Sequence, residues 1–119
     1  MDSLNEEIMN LFTKYSHHQN ISVVYITQNF FQQSKFNRTM SLNTSYIVLF
    51  KNPRDINQIE ILGRQMYGKK FKRFTEAFQD ATTKPHSYLL IDLKQSTPDK
   101  LRLRSNIFPH QSTVVYVIA

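Results

Sequence analysis

The chain has no cysteine. Disulfides and thiolate metal sites are thereby excluded, and nothing points to an oxidising, secretory compartment. Glycine is nearly as scarce, with only Gly63 and Gly68. A glycine-rich loop that cradles phosphates on bare backbone amides therefore has no place in these residues. Long apolar runs are missing too: none approaches the roughly 20 residues needed to span a bilayer. The opening Met1-Asp2-Ser3-Leu4-Asn5-Glu6-Glu7 is acidic and polar, unlike a signal peptide. These absences predict a soluble chain of a reducing compartment, cytoplasmic or nuclear, with no membrane partner.

What is present is globular in kind. Apolar residues make up 40% and aromatics 13% of 119 residues. That length suits one domain or part of one, and is small for a nucleotide-hydrolysing motor. The net charge is +6, and it is unevenly spread. Residues 1–33 carry Lys14 against Asp2, Glu6 and Glu7. The stretch 34–73 carries nine cations against only Asp55 and Glu60. A basic middle fits a polyanion, either nucleic acid or the phosphates of a nucleotide; a solvated basic surface is the plain alternative.

Patterning places the elements. Ser3 and Glu6 have capping-box spacing, and Leu4, Ile8, Leu11, Phe12 and Tyr15 recur at helical intervals, predicting a helix over about 4–16. Residues 21–27, rich in β-branched side chains, and the runs 46–50 and 88–93 are nearly continuously apolar, without strict alternation. They read as strands covered on both faces, the pattern of a parallel sheet. Two helices are predicted between the second and third. One is capped by Asp55 and carries Ile56, Ile59, Leu62 and Met66; the other carries Phe71, Phe74, Phe78 and Ala81, with Gly68 breaking the chain between them. Residues 101–104 alternate apolar and basic, as a half-exposed edge strand does, and 114–119 form a last strand or a divergent tail. The expected class is α/β, layered, with a mostly parallel sheet flanked by helices.

In open parallel sheets, ligands bind beyond the carboxyl ends of strands. Gln28 and Arg54 would then emerge at one rim, where an amide orients water and an arginine stabilises phosphoryl charge. Turn formation by the same residues is the alternative. Lys69, Lys70, Lys72 and Arg73 stand where a helix should start. Cations there cost a few tenths of a kcal/mol each. A bound phosphate backbone would relieve this, and a solvated charge run explains it as well.

The segment Leu11 to Asn29, with its Ser16-His17-His18 and Thr27-Gln28-Asn29, resembles the DNA-packaging ATPases of the FtsK/HerA class. The closest group is the poxvirus-like, Polinton (Maverick) or adintovirus type. The likeness continues through Arg38 to Asn43, Phe50-Lys51-Asn52-Pro53-Arg54-Asp55, Asp80 to Pro85, Tyr88 to Leu93 and Arg102 to Pro109. It implies the C-terminal half of a P-loop NTPase motor domain (RecA/FtsK-like) over 1–109, lacking its Walker A and Walker B strands, with 110–119 outside the pattern. The full-length parent would be a homo-oligomeric ring that moves double-stranded DNA with ATP and magnesium. By this resemblance Gln28 is the γ-phosphate sensor and Arg54 the trans-acting arginine finger, with Arg38 as second choice. The chain alone should be inactive, with no cofactor and no metal site. His17 and His18 belong to a helix-to-strand turn, since adjacent side chains diverge too far to share an ion.

Overall fold

The computed structural model describes residues 3–11, 21–27, 43–54 and 56–119. It divides into two units, 1–44 and 45–119. In the first, α1 spans Ser3–Asn10, and the remainder of the predicted helix beyond Leu11 lies outside the described residues, as do Gln28 and Arg38. Residues 21–27 do not form the predicted strand. Val24 and Ile26 are 85% and 91% exposed. Their β-branched side chains favour extended backbone, but a strand exists only where its amides and carbonyls join a neighbour's ladder.

The second unit runs β1 (Tyr46–Phe50), α2 (Asn57–Tyr67), α3 (Phe71–Ala81), β2 (Tyr88–Asp92), β3 (Leu103–Ser105) and β4 (Val114–Tyr116). The sheet order is β1-β2-β3-β4, and all three pairings are antiparallel. This overturns the expectation of a mostly parallel P-loop (RecA/FtsK-like) α/β sheet. The physical reason is the helix count between β1 and β2. One crossover helix returns the chain to the starting edge, so the next strand runs parallel. Two helices back to back bring it to the end it left, so β2 runs back along β1. Phe50 faces Tyr88 at that end, and Tyr46 faces Asp92 at the other.

The continuous apolar run of β2 has a different cause from the one its pattern implied. Leu89, Leu90, Ile91 and Asp92 are all buried because β2 is central, flanked by β1 and β3. Ile47, Leu89, Ile91 and Leu103 join Phe74, Phe78 and Ala81 of α3 and Ile59 and Leu62 of α2 in the core. Each large side chain among them contributes roughly 1.5–3 kcal/mol by leaving water. β3 is an inner strand, not the predicted edge, because β4 covers its far side. Tyr116 fastens β4 to α3 by donating its hydroxyl to Asp80 Oδ2 at 2.5 Å. Burial and that carboxylate push the Tyr116 phenol up to about 12.

Local chemistry sets the helix ends. The residue preceding α2 is Ile56, with no side-chain cap; Asp55, the predicted cap, lies outside the described residues. Gly68 ends α2 at φ 57°, a conformation that side chains disfavour, and its amide donates to Arg64 O. At the end of α3, Thr82 Oγ1 donates to Phe78 O at 2.8 Å and Thr83 Oγ1 to Gln79 O at 3.0 Å. Among the described residues, no helix is long and apolar enough to cross a membrane.

Gly63 is where α2 meets α3. A Cβ there would lie 2.9 Å from Phe74 Cδ1 and 3.3 Å from Phe71 Cβ. Alanine would gain about 1 kcal/mol of helix propensity, while overpacking costs about 1–3 kcal/mol. Neither neighbour is a flexible tip, so the clash prevails. Gly63→Ala is expected to lower the urea midpoint of unfolding, and a raised midpoint would show that the Phe74 ring yields.

Candidate nucleic-acid interface

The antiparallel order sorts the polar residues to two ends of the 45–119 unit. At one end lie Tyr46, Asp92 and the 94–102 loop. The tip of the α2–α3 hairpin lies there too, since the Tyr67 phenol feels the charges of Arg102 and Asp99. Burial is the largest influence on that phenol and raises its pKa.

Most charges on the sheet side of this end are already used. Arg104 Nη2 donates to Asp92 Oδ2 at 2.7 Å. The Lys94 amide donates to Asp92 Oδ1 at 3.1 Å. Burial alone would raise the Asp92 carboxyl, but these bonds, the Thr97 hydroxyl and the Lys94 charge hold it below the ordinary carboxylate value. Arg102 Nε donates to Asp99 at 2.8 Å, and its Nη1 reaches the carbonyls of Asp92 and Lys94, both at 3.0 Å. The Lys94 ammonium sits 4.9 Å from the Tyr46 ring centroid, and its bond to the Tyr46 hydroxyl raises its pKa. Arg64 stacks on Phe71 at 3.8 Å.

The hairpin tip is different. Lys69, Lys70, Lys72 and Arg73 are all exposed. The acids that this end offers, Asp92 and Asp99, are each taken by an arginine. Glu76 stands one turn further along α3, yet the run forms no ion pair among the described residues, beside a helix start with no side-chain cap. Lys100, also exposed, adds to it from the 94–102 loop. Four clustered cations near a single carboxylate, Glu76, repel one another, and an external polyanion reduces that repulsion.

The other end carries the residues expected at a strand rim. Arg54 is exposed in a turn just beyond β1, and its amide donates to Asn52 Oδ1 at 3.1 Å. Because β1 and β2 are antiparallel, Asp92 and Lys94 emerge at the opposite end from Arg54; Gln28, expected to share a rim with Arg54, lies outside the described residues. Next to Arg54 a cleft of about 490 Å³ opens between the β1 exit and the turn that precedes β2. Lys51, Lys84 and His86 line it. Sequence reasoning missed this grouping because its residues come from segments far apart in the chain. The one local signal, the left-handed His86 (φ 64°), is a backbone property that the sequence does not display.

Among the described residues, no group of three or more His, Asp or Glu is placed to hold a metal ion. No protein-family model, curated protein or solved structure matches the chain.

Proposed function

We propose that residues 45–119 form a non-enzymatic module that binds double-stranded DNA through the tip of the α2–α3 hairpin. The observation that carries the reading is the run Lys69, Lys70, Lys72 and Arg73, exposed and in no ion pair among the described residues. Such a surface binds phosphates by releasing condensed counterions, which makes affinity steeply salt-dependent. The charge run lies on a rigid two-helix support, so its cations arrive together and not as a flexible tail.

The test is anisotropy of a labelled duplex titrated with the full chain over a salt series. Changing all four cations to glutamine should flatten the slope of log K against log salt by about 2–4 units, since each phosphate contact contributes about 0.9. Affinity should fall alike for unrelated sequences, because phosphate contacts carry no base information. No binding at low salt, or an unchanged slope in the variant, would remove the reading.

A second reading is favoured by Arg54, whose exposed guanidinium stands on a strand-end turn with no hydrogen bond or ion pair among the described residues. In it the chain descends from a ring-forming, ATP-driven DNA-packaging motor, with Arg54 (or Arg38) as the finger and Gln28 as the sensor. Its support is the resemblance of Thr27-Gln28-Asn29 and Phe50 to Asp55. An open reading frame upstream of Met1 encoding a glycine-rich loop and a paired-acid strand would support it. Magnesium-dependent ATP turnover by the isolated chain would contradict the expectation that these residues alone are inactive.

A further inference from the structure

We propose that the cleft at the carboxyl end of β1 binds a nucleotide, with its phosphate held by Lys51, Lys84 and His86 and its base stacked on Phe50. The site is separate from the hairpin tip, which lies at the opposite end of the unit. Three observations converge. The cleft is lined by two lysines and a histidine and by no carboxylate, so its floor has one sign of charge. Neither lysine side chain is engaged by an ion pair or hydrogen bond among the described residues, so nothing internal competes for an incoming anion. Phe50 lines the same cleft with 59% of its surface exposed, steadied by an edge contact to Tyr88 with centroids 6.1 Å apart. An exposed aromatic face beside anion-binding cations is the pairing that recognises a phosphorylated planar ring.

The walls are held in place before any ligand arrives. Ser87 closes the turn by donating both its amide, at 3.2 Å, and its hydroxyl, at 2.5 Å, to Lys84 O. Thr82 and Thr83 spend their hydroxyl protons on helix carbonyls. The hydroxyls are thereby committed as donors, and the side-chain donors left for an anion are the lysines and the imidazole. His86 adopts the left-handed backbone that non-glycine residues rarely take, and such strain is retained where a side chain must be aimed. The volume, about 490 Å³, falls within the range of small-molecule sites.

The same chemistry exists on a free mononucleotide and on the 5′-phosphorylated end of a single strand. The experiment is amide NMR of the full chain with AMP, inorganic phosphate, and a short single-stranded oligonucleotide with and without its 5′-phosphate. AMP at millimolar concentration should shift the amides of residues 82–87. Lys51→Gln with Lys84→Gln should weaken AMP binding at least about tenfold, the loss of roughly one charge-assisted contact. Phe50→Leu should weaken AMP but leave inorganic phosphate unaffected. Saturation by AMP assigns the free nucleotide; saturation only by the phosphorylated oligonucleotide assigns a strand end. Shifts with neither, or equal binding by the double lysine variant with an otherwise unchanged spectrum, would overturn the proposal. The hairpin variant lacking Lys69, Lys70, Lys72 and Arg73 should bind AMP normally, so the two sites fail independently.

Discussion

Methionine in place of Arg104 is expected to destabilise the 45–119 unit by about 1–3 kcal/mol at neutral pH, less than the cost of orphaning one partner of a fully buried ion pair, because the Arg104 side chain is 28% exposed. Asp92 is 4% exposed and receives Arg104 Nη2 at 2.7 Å. Without the guanidinium, the carboxylate keeps the Lys94 amide and the Thr97 hydroxyl, but its nearest remaining cation is the exposed Lys94 on Tyr46. The effect should fall toward the lower end of that range. Arg104 Nε is buried with no hydrogen-bond partner among the described residues, and methionine removes that unsatisfied donor along with the charge. Urea unfolding gives the measurement. Adding Asp92→Leu should recover most of the loss, because a buried apolar pair costs no charge desolvation. An unchanged midpoint in Arg104→Met would mean that the pair contributes nothing.

The same carboxylate sets a pH dependence, to which the Lys94 amide and the Thr97 hydroxyl contribute ahead of the Arg104 charge. The Asp92 carboxyl is held below its ordinary value, so the folded state binds that proton less readily than the unfolded chain. Its contribution is complete above the ordinary carboxylate value near 4 and is lost as pH falls through the lowered folded value. The difference in stability between the native chain and Arg104→Met should therefore shrink in acid below about pH 4. A difference that stays constant through that window would assign the effect to packing and not to charge.

Phe74→Ala is expected to cost about 3–5 kcal/mol, as large aromatic truncations in cores do. Phe74 is fully buried. Its ring fills the space that Gly63 leaves open, and stands 5.8 Å from the Tyr67 ring with an interplanar angle of 30°. Alanine would leave a void between two helices and the sheet that no nearby side chain can fill without leaving its own site. A domain this small has little stability in reserve, so the variant should be substantially unfolded at room temperature by circular dichroism. Phe74→Leu, which keeps most of the volume, should fall between the two. A cooperative, near-native unfolding curve for Phe74→Ala would show that α2 and α3 close up on the void.

The sequence displayed where the elements of the second unit lie far better than how they are arranged. Residues 46–50 and the run from Tyr88 are strands, and Phe74, Phe78 and Ala81 are the buried face of α3, as their spacing predicts. Periodicity reports burial, and these residues are buried. It does not report strand direction. Leu89 to Ile91 look the same in a parallel strand under two helical layers and in the middle strand of a four-stranded antiparallel sheet. Direction was encoded in the connection: two helices and a glycine break between β1 and β2. Residues 21–27 failed for a related reason, since propensity is local and a ladder is not. The hairpin cations were legible because they are contiguous. The cleft was not, because Lys51 and Lys84 approach one another only through the pairing of Phe50 with Tyr88.

The helical hairpin set between neighbouring strands also bears on how the unit folds. In the unfolded chain, joining β1 to β2 means closing a loop that contains both helices, at an entropic cost that rises with loop length. The contacts within the hairpin are short-range and form early. Once α2 and α3 are docked, their outer ends lie together and the loop is effectively closed before any strand hydrogen bond exists. The hairpin then acts as the clamp that seeds the sheet. Stopped-flow refolding should accordingly slow when the Gly63–Phe74 contact is disturbed. Loss of the Tyr116 bond to Asp80, which fastens the last strand, should mainly quicken unfolding.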